Sequence, residues 1–94
     1  MNSKSTFMKS KLGLYIAEKV KEKRAEANFS RRALADCLNL DESYLRQAEN
    51  PKFPLVYNIT LLNAIACILN CSVRDFIPDK PITEGSKYLS NLEE

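Results

Sequence analysis

The side chains that carry out most protein chemistry are scarce in this chain. It contains no histidine, which removes the commonest general base and the commonest metal ligand. Its two glycines, Gly13 and Gly85, are too few for a glycine-rich phosphate loop. Cys67 and Cys71 lie one helical turn apart. With no histidine beside them and Cys37 distant, they read as small apolar fillers rather than metal ligands. No grouping of carboxylate, lysine and thiol suggests acid–base or nucleophilic work. The chain is therefore not expected to be an enzyme, and no cofactor or metal is expected. What remains is charge and hydrogen bonding, carried by 14 Lys/Arg and 12 Asp/Glu.

The elements that must position these residues follow from apolar spacing. Ninety-four residues suffice for one domain. A content of 45% hydrophobic and 28% charged residues fits a folded globule. No apolar run reaches the length of a membrane span. No apolar stretch precedes Lys9, so a secretory signal is not expected. An odd number of cysteines, three, argues for a reducing cytoplasm over a disulfide framework. The net charge is only +2, but it is unevenly spread. Residues 1–32 hold nine Lys/Arg against three Glu; residues 33–94 hold five against nine Asp/Glu. A basic first third suits a polyanionic partner.

Residues 1–11 read as a polar, basic arm, 12–78 as the folded domain and 79–94 as a tail in which "SKYLSNLEE" forms a final turn or two. Helices are expected over 12–27, from Ser30 to Leu38, from Asp41 to Glu49, over 58–69, and from Ser72 to Ile77. Pro51 and Pro54 make "NPKFP" a loop. Three junctions share one grammar: "NFS", "NLD" and "NCS", at Asn28, Asn39 and Asn70. Asparagine tolerates the left-handed conformation that ends a helix. The apolar residue after it turns inward, and Ser30, Asp41 or Ser72 caps the next helix. The acid at position 41 is thus explained by the helix it starts.

From about residue 16 to 77 the pattern resembles the Cro/phage-repressor (XRE-type) helix-turn-helix family. The likeness rests on Val20 and Arg24, on Ser30, Leu34, Ala35, Leu38, Asn39, Leu40, Asp41, Leu45, Ala48, Glu49 and Asn50, and on Pro54. It continues through Leu62, Ile65, Ala66, Leu69, Asn70, Cys71 and Ser72 to Phe76 and Ile77. The resemblance implies an all-α fold, a lambda-repressor-like bundle of five short helices. It implies a structural pair between Arg24 and Glu49. It also implies sequence-specific binding of double-stranded DNA in transcription regulation, with helix 41–49 in the major groove. On matching positions, Glu42, Ser43, Tyr44 and Gln47 face bases, while Arg31, Arg32, Arg46, Lys52 and the arm hold phosphates. Two departures stand out: Arg31 replaces the usual glutamine after the cap, and Pro51 replaces the glycine after the third helix.

Helix 58–69 carries, beside its core face, a second apolar stripe of Tyr57, Leu61, Ala64 and Ile68 with Cys67 on its flank. A surface helix shows one apolar face, so a cover is expected. The candidates are a second copy of the chain meeting Leu61, Ala64 and Ile68, the tail residues Tyr88, Leu89 and Leu92, or the arm residues Phe7 and Met8. A homodimer is the expected assembly. The competing reading is a protein-interaction module, or an antitoxin-like adaptor, built on the same bundle; Glu42 and the modest net charge favour it.

Overall fold

The three asparagine junctions organise the chain. In the computed structural model, which describes residues 9–89, Asn28, Asn39 and Asn70 all adopt left-handed backbone, with φ of 62°, 60° and 57°. Each forms the same pair of bonds. Phe29, Leu40 and Cys71 donate their N–H groups back to Arg24, Ala35 and Ala66 at 2.9, 2.9 and 3.0 Å. Each asparagine N–H reaches the carbonyl three residues earlier, at Ala25, Asp36 and Cys67. This is the Schellman arrangement, which satisfies the last carbonyls of a helix. Phe29, Leu40 and Cys71 then pack on the core. Ser30, Asp41 and Ser72 accept from Ala33, Ser43 and Arg74 N–H as caps of the elements that follow.

Between these signals lie four α-helices: α1 Lys11–Glu26, α2 Arg31–Leu38, α3 Glu42–Glu49 and α4 Ile59–Leu69. A 3₁₀ helix, Val73–Phe76, follows. No strand occurs among the described residues, so the fold is all-helical. The expected fifth α-helix is this 3₁₀ turn. Ser72 and Asp75 close a capping box around it, and Pro78 forces Ile77 into extended backbone, leaving no room for a second turn. No helix among the described residues is long and apolar enough to cross a membrane.

α2 and α3 pack on each other across the Asn39 turn, α1 packs on α3, and α4 packs on α2 and α1. The core is built from Ile16, Val20, Leu34, Leu45, Leu62, Ile65, Leu69 and Phe76, with Ala35 and Ala48 where helices meet closely. Burying each large apolar side chain contributes about 1.5–3 kcal/mol. Gly13 lets α1 approach the 51–58 segment: a Cβ there would lie 2.9 Å from Val56 Cγ2.

The folded body differs from the expected boundaries at both ends. Ser10 caps α1, and Lys9 is buried rather than part of an exposed arm. The remaining arm residues, including Phe7 and Met8, lie outside the described residues. In the tail, Lys11 N–H donates to Glu84 carbonyl at 3.4 Å, and Gly85, at φ 79°, sits against Ser10 and Lys11. The described part of the tail thus passes the start of α1. Tyr88 is 82% exposed, so it does not cover α4; Leu92 lies outside the described residues. The second stripe of α4 is also narrower than expected. Tyr57 is buried in the core, because it lies before the Asn58 cap in extended chain, where helical periodicity does not apply. Leu61, Ala64 and Ile68 are half-buried, while Ile59 and Cys67 are exposed.

Candidate nucleic-acid interface

Arg24, on the last turn of α1, faces Glu49, the last residue of α3. Arg24 Nη2 donates to Glu49 Oε2 at 2.9 Å, and Nη1 donates to the Phe29 carbonyl at 3.0 Å. The guanidinium therefore forks between a carboxylate and the carbonyl of the first junction. Both side chains are nearly enclosed, 13% and 9% exposed. Glu49 Oε1 also lies 3.5 Å from Arg31 Nη1. The end of α3 is thereby tied to both α1 and α2.

A second contact holds the same end of α3. Lys9 donates its ammonium to the carbonyls of Gln47, at 3.1 Å, and Phe53, at 2.6 Å. Its own N–H reaches the Pro51 carbonyl at 3.3 Å. A cation at a helix C-terminus is favoured by the helix dipole. Burial nevertheless pulls the Lys9 pKa below the ordinary lysine value. Nothing in the local sequence signals this role, because the partners lie about forty residues away. Beneath the pair, the Tyr57 hydroxyl and Arg24 Nε are buried without hydrogen-bond partners among the described residues. Burial, reinforced by Glu49, pushes the Tyr57 pKa well up.

The outer side of α2 and α3 is more mixed in charge than the sequence suggests. Glu42 Oε2 lies 3.8 Å from Arg31 Nε and 3.6 Å from Arg46 Nη1. The Glu42–Arg46 contact has the favourable i,i+4 order, whereas the Arg31 contact depends on how α2 and α3 cross. Lys21, Arg24, Ser30, Arg31, Arg32, Glu42 and Glu49 line a shallow cleft of about 430 Å³. It holds four basic groups and two acidic ones, at the amino end of α2.

Of the residues expected to face bases, Gln47 is exposed and Glu42 and Ser43 are half-exposed. Tyr44 is different: it packs on the core and lines a groove with Leu38, Leu40, Asn58, Thr60, Leu61 and Ala64. Its third position on α3 faces α4 as much as solvent. Of the residues expected to face phosphates, Arg32, Arg46 and Lys52 are exposed and Arg31 is half-exposed. The loop after α3 keeps its own N–H groups occupied. Lys52 N–H donates to Asn50 Oδ1 at 2.9 Å and Phe53 N–H to the Asn50 carbonyl at 3.1 Å. Asn50 itself is extended, as the residue before Pro51 must be. This loop therefore offers a partner the Lys52 ammonium rather than those two amides.

Cys37 and Cys67 are exposed free thiols, so Cys67 is not the buried filler expected; Cys71 is half-buried, with its pKa raised by burial. Among the described residues no cluster of three metal-ligating side chains occurs. Comparison with protein-family models, curated proteins and solved structures gives no match.

Proposed function

We propose that the chain is a sequence-specific double-stranded DNA-binding protein, a cytoplasmic transcriptional regulator of helix-turn-helix type that inserts α3 into the major groove. The observation that carries this reading is the convergence of Arg31, Arg32 and Arg46 around the first turns of α3. The outer residues of that helix are not consumed by the core. Gln47 suits the adenine N6 and N7 edge, Glu42 the cytosine amino group, and Ser43 either kind of edge. Arg31, Arg32 and Lys52 supply phosphate contacts that set register. The order of residues resembling XRE-type proteins adds to this support.

Selection of duplexes from a random pool, followed by binding at several salt concentrations, tests the reading. Arg31→Ala should weaken binding to every duplex and reduce the salt slope by about one. Gln47→Ala should relax preference at one position, by about 1–3 kcal/mol. No enrichment, with binding indifferent to both changes, would exclude α3 as a reading element.

One short helix reads few base pairs, and paired half-sites about 34 Å apart supply the missing specificity. A homodimer through Leu61, Ala64 and Ile68 of α4 completes the proposal, supported by their half-exposed apolar side chains. Ala64→Glu should yield a folded monomer with at least tenfold weaker binding to a selected two-half-site duplex. Sedimentation and circular dichroism check this; a wild-type monomer both alone and on that duplex would remove the dimer. The groove of Leu38, Leu40, Tyr44, Leu61 and Ala64 favours a second reading, a protein-interaction module or antitoxin-like adaptor. Partner binding through that apolar groove would be nearly independent of salt, unlike binding to DNA.

A further inference from the structure

Glu42 opens α3, where the helix dipole favours an acid, but the dipole does not decide where the side chain points. Here one carboxylate oxygen, Oε2, stands 3.8 Å from Arg31 Nε and 3.6 Å from Arg46 Nη1. Arg31 reaches it from the first turn of α2 and Arg46 from the next turn of α3. The carboxylate occupies the position between two guanidinium groups that a phosphate oxygen would also favour. These separations are too long for strong hydrogen bonds, and the three side chains are 34–54% exposed. Such pairs open readily. Glu49, the other acid at Arg31, is held by Arg24 at 2.9 Å. Among the described residues, no hydrogen bond holds the Glu42 carboxylate in place.

We propose that Glu42 is an internal competitor for DNA phosphate, making it a specificity-determining residue. Resting on the DNA-binding reading of this site, the inference adds how the site rejects wrong sequences. In the free protein the carboxylate neutralises Arg31 and Arg46. When a duplex arrives, phosphate takes the arginines and Glu42 is displaced toward the groove. Opposite a cytosine amino group it regains a donor. Opposite other edges it is left unpaired beside phosphate charge, and the complex is penalised. Discrimination thus comes from a repulsive element as well as from an attractive one.

The test compares full-length wild type, Glu42→Gln and Glu18→Gln. Glu18 is exposed on α1 and has no salt bridge among the described residues. The probes are a labelled random-sequence duplex pool and the tightest duplex that wild type selects from it. Glu42→Gln should bind the pool about tenfold more tightly and steepen the salt slope by about one, as the arginines become free for phosphate. Its gain on the selected duplex should be smaller, so selectivity falls. Glu18→Gln should change neither. An equal gain from Glu18→Gln would reduce the effect to net charge and overturn the competitor role. Unchanged slope and selectivity in Glu42→Gln, with wild type binding well, would overturn it while leaving the DNA-binding reading intact. Failure of both wild type and Glu42→Gln to bind any duplex would overturn the DNA-binding reading, and this inference with it.

Discussion

Arg24→Ala is expected to cost about 3 kcal/mol of folding free energy, because it strands a buried glutamate. Glu49 is only 9% exposed, and its remaining cation, Arg31, lies 3.5 Å away on a half-exposed side chain. The same change removes the donor to the Phe29 carbonyl at the first junction. Glu49→Ala should cost somewhat less, since Arg24 keeps that carbonyl as a partner. The double variant should lose less than the sum of the singles, by about 1–2 kcal/mol, because the two groups share one interaction. Urea unfolding of the four proteins measures the coupling. Additive losses would mean that the pair does not hold α1 to α3.

Phe76→Ala is expected to be more damaging still, by about 4 kcal/mol. Phe76 is fully enclosed, at 0% exposure, and sits in the 3₁₀ helix that packs on both α1 and α4. Removing its ring opens a cavity between two helices already pinned elsewhere, so relaxation is limited. Asp75→Ala, which breaks only the capping box beside it, should cost about 1 kcal/mol. Thermal and urea unfolding give both values. A loss below 1 kcal/mol for Phe76→Ala would place the last turn outside the cooperative core.

The helix ends were readable from sequence because each is decided within a few residues. An asparagine, an inward apolar residue and a capping side chain suffice, and all three junctions obey the same local rule. The association of Arg24 with Glu49 was readable only through the family resemblance, since their separation carries no periodic signal. Contacts that depend on how helices cross were not readable. Lys9 reaching the Gln47 and Phe53 carbonyls and Arg31 shared by Glu42 and Glu49 belong to this class. Tyr57 was misplaced because helical spacing was extended past the Asn58 cap. Tyr44 was placed outward because the family's matching position was followed without asking what α4 presents to it. That Glu42 stands between Arg31 and Arg46 was likewise not legible, because it depends on how α2 and α3 cross.

The repeated junction also bears on how quickly the chain can reach its native state. Each Schellman bond and each cap closes a loop of only a few residues, so its entropic cost is small. Helical segments form in about a microsecond or less, and here the signals that stop one and start the next are formed by the same few residues. Helix limits and turn directions are thus available before distant segments meet. The slow remainder is the docking of α1 and the 3₁₀ helix, the elements farthest apart in sequence that still pack together. Helical bundles as a class fold in about microseconds to milliseconds, and here closure of the Phe76 layer is the step that completes the process.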